Sequence, residues 1–272
     1  MPDRYAVVGN PVAHSKSPRI HAAFAQATGQ DMSYEHLLAP LDAFVPTVEA
    51  FRGAGGRGLN VTVPFKLEAF ALAAVHSSRA QLAGAVNTLM VEPDGRWYGD
   101  NTDGAGLVRD LTENLGLELR DRRILVLGAG GAARGILGPL LDGLPHSLAI
   151  ANRTHAKAVA LAAAFAPLGP IEAIALSALP RRHYDLVINS TSVGLASEVH
   201  DWPGSVFAPG SFAYDLVYSD QPTQFVHWAL AQGAERTADG LGMLIEQAAE
   251  SFHLWRGVRP HTAPVFALLR PR

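Results

Sequence analysis

A lysine at the predicted start of a helix is the residue of this chain best suited to chemistry. In residues 60–66, polar Asn60, Thr62 and Pro64 alternate with apolar residues, which predicts one polar face on a strand. A helix is predicted from Pro64, so Lys66 lies in its first turn, where the helix dipole disfavours a cation. An ammonium group in that place gives up a proton more readily than one in water. We therefore interpret Lys66 as a proton-transfer residue rather than an ordinary surface lysine.

Two polar loops offer partners for this lysine. Residues 100–104 read Asp-Asn-Thr-Asp-Gly, and this pattern is typical of a helix cap at Thr102 or Asp103. The same acids could instead face the site and pair with Lys66. The second polar segment is Asn87-Thr88, which follows an apolar run.

Hydroxyl and amide side chains at two other helices suggest contacts to a ligand. Ser17 precedes Pro18, which is typical of an N-cap followed by the first helical residue, whereas Ser15 has no such capping role. Paired hydroxyls at a helix start would suit a polyhydroxylated carboxylate, and spacing alone leaves both interpretations of the serines open. Met243 and Gln247 share a helix face, so they either pack in the core or meet ligands.

A glycine-rich loop predicts a dinucleotide site. Residues 125–133 read Leu-Val-Leu-Gly-Ala-Gly-Gly-Ala-Ala, a G-x-G-x-x-A pattern between a predicted strand and a predicted helix. Gly128 would make the tight turn, Gly130 would let the backbone approach a pyrophosphate, and small Ala133 would permit close packing. The free N–H groups of the helix start would then bind the phosphates.

The end of the next predicted strand favours NADP over NAD. An NAD site usually has an acidic residue there to bind the ribose 2′-hydroxyl, but the chain continues Asn152-Arg153-Thr154, with Lys157 one turn later. Two cations and a hydroxyl suit a 2′-phosphate, and Arg153 can pair with it through two N–H groups. A solvated basic helix start is the alternative for Lys157 alone.

Alternating short apolar runs and longer helical segments must position these residues. This alternation of strand and helix patterns predicts an α/β fold with mostly parallel sheets covered by helices on both faces. We expect two lobes with a cleft between them: a substrate-binding catalytic domain at 1–103 plus 240–272, and a Rossmann-like, doubly wound NADP domain at 104–239. Strands are predicted at 5–9, 33–38, 58–63, 124–128, 147–151, 185–189 and 212–217, and helices at 18–30, 41–53, from 64, 132–141, 155–165 and 241–255.

Composition excludes several other functions. The 272 residues carry a net charge of −3 without a dense basic run, which argues against nucleic acid or an anionic membrane as partners. There is no cysteine, and none of the 11 histidines has the spacing of a metal-ligand pair, so we expect no metal. The first residues lack the pattern of a signal peptide and no apolar run reaches about 18 residues, so a cytoplasmic enzyme is expected.

Taken together, these motifs resemble the shikimate dehydrogenase family, and they occur in the family's order along nearly the whole chain. The matching segments are 9–21 (G-N-P-x-x-H-S-K-S-P-x-x-H), 60–66 (N-V-T-V-P-F-K), 85–88 (A-V-N-T), 99–104 (G-D-N-T-D-G), 128–133, 152–154 (N-R-T), 189–194 (N-S-T-S-V-G), 215–218 and 239–247.

The resemblance implies NADPH-dependent reduction of 3-dehydroshikimate to shikimate, with Lys66 and Asp103 as the catalytic pair. The residues that match substrate contacts are Ser15, Ser17, Thr62, Lys66, Asn87, Asp103, Tyr218 and Gln247. Those that match NADP contacts are Gly128, Ala129, Gly130, Gly131, Ala132, Asn152, Arg153, Thr154, Lys157, Thr191, Ser192, Val217, Gly240 and Met243. A monomer or homodimer is expected. The alternatives are a related quinate/shikimate dehydrogenase that uses NAD, and a non-catalytic NADP-binding sensor on the same fold.

Overall fold

A computed structural model describes residues 2–191, 202 and 204–270. The chain forms two compact units, one of Met1–Leu107 with Leu244–Arg272 and one of Val108–Met243. The unit boundaries fall after Leu107 and Met243, whereas the sequence predicts domain boundaries after Asp103 and Asp239.

Strands and α-helices alternate over much of the described chain, with β5 and β6 consecutive and α9 and α10 consecutive. The strands are β1 Asp3–Gly9, β2 Met32–Leu38, β3 Gly56–Val61, β4 Val75–His76, β5 Thr88–Val91, β6 Trp97–Asp100, β7 Arg123–Leu127, β8 Ser147–Ala151, β9 Ile171–Ile174, β10 Tyr184–Asn189, β11 Phe207–Asp215 and β12 Arg236–Ala238. The α-helices are α1 Ser17–Thr28, α2 Phe44–Gly53, α3 Lys66–Leu72, α4 Ser78–Ala83, α5 Asp103–Arg109, α6 Gly131–Asp142, α7 His155–Phe165, α8 Gln224–Ala231, α9 Leu241–Arg256 and α10 Ala263–Leu269. A π-helix, Asp110–Asn114, continues α5.

The first unit contains a mixed sheet with the strand order β2-β1-β3-β5-β6-β4. β1 pairs in parallel with β2 and β3, but β5 is antiparallel to both β3 and β6. β4 also pairs in parallel with β6, so the prediction of mostly parallel sheets is confirmed, with β5 as the exception. The short turn between β5 and β6, with Gly95 at φ +83°, joins them as a hairpin, and such a connection allows only antiparallel pairing.

The core of the first unit fixes the ends of β1 and β3 side by side. Val8 and Val61 are register partners and both are buried in one apolar cluster. A Cβ atom at Gly9 would lie 2.4 Å from Thr62 Cγ2, so only glycine permits this approach. The segment after β1 and the segment after β3, where the predicted site residues lie, are therefore neighbours at one edge of the sheet.

The second unit contains a parallel sheet with the strand order β12-β11-β10-β7-β8-β9. The chain runs from β7 outward to β9 and then returns to the other side of β7 with β10, so the strand order reverses between β7 and β10. This is the doubly wound order of a dinucleotide-binding fold, whose ligands bind at the carboxyl ends of the strands beside that reversal. The prediction of two α/β units, the second Rossmann-like, is confirmed.

The described residues contain neither a membrane-spanning helix nor a cluster of metal-binding side chains. Among the helices within 2–191 and 204–270, none has both the length and the apolar character to cross a membrane. Within the same ranges, no three histidine or acidic side chains come close enough together to hold a metal ion.

Candidate active site

The segment that carries Lys66 differs locally from its prediction. β3 ends at Val61 and α3 begins at Lys66, so the predicted strand end and the predicted helix start at Pro64 are both wrong. The residues between them form a turn in which the Phe65 N–H donates to Thr62 O at 3.0 Å. Lys66 nevertheless lies in the first turn of α3, as predicted, where the helix dipole opposes its charge.

Lys66 forms a partly buried ion pair with Asp103. The distance from Lys66 Nζ to Asp103 Oδ2 is 2.5 Å, and the two side chains are 18% and 7% exposed. The negative charge of the Asp103 carboxylate attracts the ammonium group and holds it in this position. At the start of α5 the Asp103 N–H donates to Asn101 Oδ1 at 3.2 Å, so the Asn101 side chain satisfies this N–H, while the Asp103 carboxylate pairs with Lys66.

Asn87 connects the ion pair to Gln247. Its Nδ2 donates to Asp103 Oδ1 at 2.8 Å and to Gln247 Oε1 at 3.3 Å. Gln247 reaches this position because α5 and α9 approach closely at Gly106, where a Cβ atom would lie 2.6 Å from the Gln247 nitrogen. Of the two interpretations of Gln247, the structure favours the polar cluster over simple core packing.

Ser17 is not the N-cap of its helix. α1 begins at Ser17 itself with Lys16 at the N-cap position, so the N-cap interpretation of Ser17 is wrong, and the Ser17 N–H donates to Ser15 Oγ at 3.3 Å. The Ser15 hydroxyl donates to Ser17 Oγ at 3.1 Å. The two hydroxyls follow β1, at the same sheet edge as Thr62 and Lys66.

We call the group in the first unit the catalytic cluster; it comprises Ser15, Ser17, Thr62, Lys66, Asn87, Asp103 and Gln247. It offers one cation, one carboxylate, three hydroxyls and two amides, most of them at least partly buried. Such a set can bind a compact molecule with several oxygen atoms and can exchange one proton with it. Sequence reasoning missed Thr102, whose hydroxyl donates to Asn87 Oδ1 and whose position beside two acids was its only signal.

The glycine-rich loop of the second unit leaves space for a phosphate group. Gly128 has φ +113°, and a Cβ atom there would lie 2.5 Å from Ser190 Oγ, which makes glycine necessary for the turn. By contrast, a Cβ atom at Gly130 or Gly131 would have no heavy atom within 4 Å. These two glycines, with Ala129 and Ala132, expose backbone at the start of α6, and this fits a bound pyrophosphate.

Two cations follow the end of β8, and neither forms an ion pair within the described residues. Arg153, Thr154 and Lys157 are exposed, and neither cation makes an ion pair with any described residue. Asn152 Nδ2 donates to Thr154 O at 3.0 Å, which shapes the turn before α7. Because no acid lies in this segment, the donor set fits a ribose phosphate better than a free ribose hydroxyl.

A buried carboxylate organises the ends of β10 and β11. Asp215 accepts hydrogen bonds from Asn189 Nδ2 at 2.9 Å, the Val217 N–H at 3.1 Å and the Thr223 hydroxyl at 2.6 Å. Burial raises the pKa of Asp215 to about 6, although these three donors oppose the shift. Asn189 Oδ1 in turn accepts from the hydroxyl of Thr191. Two predicted cofactor contacts, Thr191 and Val217, are thereby held at the sheet edge.

Of the remaining predicted residues, Tyr218, Gly240 and Met243 belong to the second unit. Tyr218 follows Val217, and the Gly240 N–H donates to Val217 O at 3.1 Å. The Met243 N–H donates to the Tyr214 hydroxyl, which itself donates to Asp110 Oδ2 at 2.7 Å. Sequence reasoning missed this pair because Tyr214 reads as an apolar strand residue. Ser192 lies outside the described residues.

The fold and these two groups of residues define an α/β dehydrogenase that uses a dinucleotide. Three family models match the chain: the shikimate dehydrogenase substrate binding domain over residues 7–89, shikimate / quinate 5-dehydrogenase over 110–196, and the shikimate 5′-dehydrogenase C-terminal domain over 240–266. The NADP(+) shikimate dehydrogenase of Alkalilimnicola ehrlichii is 57% identical over 271 residues, with 100% of both chains covered. The chain belongs to the shikimate dehydrogenase family.

Solved structures agree in fold. An Ael1 enzyme from Pseudomonas putida is 48% identical and superposes with a TM-score of 0.91, covering 99% of each chain. The shikimate 5-dehydrogenase of Thermus thermophilus, solved in complex with NADP(H) and shikimate, is 38% identical with a TM-score of 0.85 and covers 96% of each chain.

Proposed function

We propose that this chain catalyses the reversible reduction of 3-dehydroshikimate to shikimate with NADPH, a step of the shikimate pathway towards chorismate and the aromatic amino acids. The observation that carries the proposal is the partly buried Lys66–Asp103 pair beside a hydroxyl-rich sheet edge. Relatives named as NADP(+) shikimate dehydrogenases, at 57% and 58% identity over nearly the whole chain, support it.

The catalytic cluster supplies the proton. In the direction of reduction, Lys66 Nζ gives a proton to the carbonyl oxygen of the substrate, and in the reverse direction it takes the proton back. Asp103 orients the ammonium group through Oδ2 and accepts a hydrogen bond from a substrate hydroxyl. The side chains proposed to hold the rest of the substrate are Ser15, Ser17, Thr62, Asn87, Tyr218 and Gln247.

The second unit would bind NADP(H), which supplies or accepts the hydride when bound. The glycine-rich loop would hold the pyrophosphate, and the cations after β8 would hold the 2′-phosphate. The residues proposed for the cofactor are Gly128, Ala129, Gly130, Gly131, Ala132, Asn152, Arg153, Thr154, Lys157, Thr191, Ser192, Val217, Gly240 and Met243. In this proposal residues 1–103 and 240–272 form the substrate-binding catalytic domain, and residues 104–239 form the NADP-binding domain.

Two finer points belong to the same proposal. We propose a cytoplasmic enzyme, which a composition without cysteine fits, and a monomer or homodimer. Size-exclusion chromatography with light scattering checks the oligomeric state, and a trimer or larger assembly would contradict it.

Arg153 is expected to decide between the two nicotinamide cofactors. Arg153→Ala should raise the KM for NADP⁺ by about 10- to 100-fold, because a charge-assisted pair with the 2′-phosphate is lost. The KM for NAD⁺ should hardly change, since NAD⁺ lacks that phosphate. Arg120→Ala, which removes an exposed arginine of the same unit, is the matched control and should change neither value. Equal losses with both cofactors would count against the assignment.

Turnover separates this enzyme from a binding protein on the same fold. Purified protein mixed with shikimate and NADP⁺ should form NADPH continuously, and 3-dehydroshikimate with NADPH should consume it. A sensor would bind NADP⁺, seen by calorimetry, without turnover in either direction. That result would refute the proposed enzyme while leaving the cofactor site in place.

A further inference from the structure

A tyrosine next to the catalytic cluster has no role in the proposed reaction. Tyr34 lies on β2, and its hydroxyl donates to Asn60 Oδ1 at 2.8 Å. Its ring stacks on the buried His21 ring, with centroids 4.1 Å apart and planes 7° from parallel. The hydroxyl is thus held by packing as well as by its hydrogen bond.

The orientation of the Asn60 amide is fixed by the backbone. Asn60 Nδ2 donates to the main-chain oxygen of Asn87 at 3.4 Å, and a carbonyl oxygen can only accept. The opposite end of the amide, Oδ1, must therefore face Tyr34. Nδ2 also donates to Thr88 Oγ1 at 3.2 Å, so Asn60 connects Tyr34 to Thr88.

The next two hydrogen bonds run in the same direction. The Thr88 hydroxyl donates to Asn87 Oδ1 at 2.9 Å, and Asn87 Nδ2 donates to Asp103 Oδ1 at 2.8 Å. The Asn87 amide is fixed in the same way as that of Asn60, because its Oδ1 accepts from the Thr102 N–H at 2.8 Å. These donations lead towards Asp103, and Asn60 Nδ2 also donates to Ser251 Oγ at 2.9 Å, on a side branch that ends at Gln247 O.

We propose that the Tyr34 hydroxyl is a positioning group for Asp103, acting through Asn60, Thr88 and Asn87. Hydrogen bonds that run in one direction polarise one another, so the hydrogen bond donated by Tyr34 strengthens the one that Asn87 donates to Asp103. The series holds Asn87 Nδ2 on one oxygen of Asp103 and leaves the other oxygen for Lys66. This inference rests on the proposed function, in which Asp103 orients the proton-transferring lysine.

The protonation states of the stacked rings suit this role. Burial lowers the pKa of His21 to about 3, so the imidazole beneath Tyr34 is neutral at working pH. Burial also raises the pKa of Tyr34 well above its ordinary value, although a hydrogen bond with the Ser17 hydroxyl opposes this. The phenol therefore stays protonated throughout the working range, and its O–H donates a hydrogen bond to Asn60 Oδ1.

Tyr34→Phe removes the hydroxyl alone, and the chain offers a matched control. Tyr5 stacks on Trp255 at 4.7 Å, in the same aromatic cluster that Tyr34 contacts at 6.3 Å, but its hydroxyl accepts a hydrogen bond from Arg256 instead. With the fastest substrate and cofactor pair, Tyr34→Phe should lower kcat about fivefold. Tyr5→Phe should leave kcat unchanged, and equal kcat values in the two variants would overturn the inference.

A double-mutant cycle tests whether the effect travels through the series. Thr88→Val removes an intermediate hydroxyl at nearly constant volume, so Tyr34→Phe should have little further effect on kcat in its presence. Fully multiplicative losses would mean that Tyr34 acts by another route. Urea unfolding of each variant shows whether a loss of kcat reflects a loss of fold.

Side-chain amide resonances in the ligand-free protein test the inference without any turnover. The Asn60 and Asn87 N–H signals should shift in Tyr34→Phe and stay in place in Tyr5→Phe. Unmoved Asn87 signals in Tyr34→Phe would refute the positioning role even if shikimate is oxidised. Shifted signals in a protein that does not oxidise shikimate would support the series and refute the proposed function instead.

Discussion

Replacing Lys66 by methionine is expected to reduce kcat by about 100- to 10,000-fold, the range that general acid–base catalysis contributes. Methionine keeps the length of the side chain but cannot donate a proton to the carbonyl oxygen or stabilise charge on it. The KM for NADP⁺ should change little, because the cofactor contacts proposed here lie elsewhere in the chain. Steady-state rates in both directions measure the effect.

The controls for Lys66→Met address folding and selectivity. The substitution leaves Asp103, only 7% exposed, without its cation, so urea unfolding must show that the variant is folded under assay conditions. Lys157→Met makes the same change at an exposed lysine and is expected to act on the KM for NADP⁺ instead. Near-normal kcat in folded Lys66→Met would rule out proton transfer by this residue.

Asp103→Asn is expected to give the second largest loss, about 10- to 1000-fold in kcat. Both carboxylate oxygens receive donors, Oδ2 from Lys66 Nζ and Oδ1 from Asn87 Nδ2. An asparagine has only one oxygen, so its NH₂ group must face one of these donors. Either the lysine or the amide then loses its position, and the lysine loses its counter-ion in both cases.

The size of the loss in Asp103→Asn separates the two roles of this residue. Asp94→Asn changes an exposed aspartate that hydrogen-bonds only within its own turn, to Arg96, and should leave the rates unchanged. If Asp103 mainly orients Lys66, kcat should fall more than the KM for shikimate rises. A rise in KM alone, with kcat intact, would make Asp103 a binding residue without influence on the lysine.

Much of this site could be predicted because its chemistry conflicts with local stability. A lysine in the first turn of a helix, cations after β8 and a glycine-rich loop all cost folding free energy. At each of these positions another residue type would give a more stable fold. The doubly wound sheet was predictable for a different reason. Its strands are short and apolar, and α6, α7 and α8 follow three of them, which leaves little choice of connection.

Other parts depend on contacts that no local pattern carries. The hairpin of β5 and β6 was not recognised, because its strands are only four residues each. The start of α3 depends on the turn at Thr62. The start of α5 depends on which of four adjacent polar side chains accepts the Asp103 N–H, and in the structure this is Asn101. The hydrogen bonds of Asn87 join residues up to 160 positions apart, so only the folded chain shows them.

The most direct test of the proposed function compares initial rates for four mixtures: shikimate or quinate, each with NADP⁺ or NAD⁺. The basic, acid-free segment after β8 and the paired serines predict that shikimate with NADP⁺ gives the highest kcat/KM, with a clear loss when either component is exchanged. Faster oxidation of quinate with NAD⁺ than of shikimate with NADP⁺ would contradict it and assign the chain to the NAD-dependent quinate/shikimate enzymes.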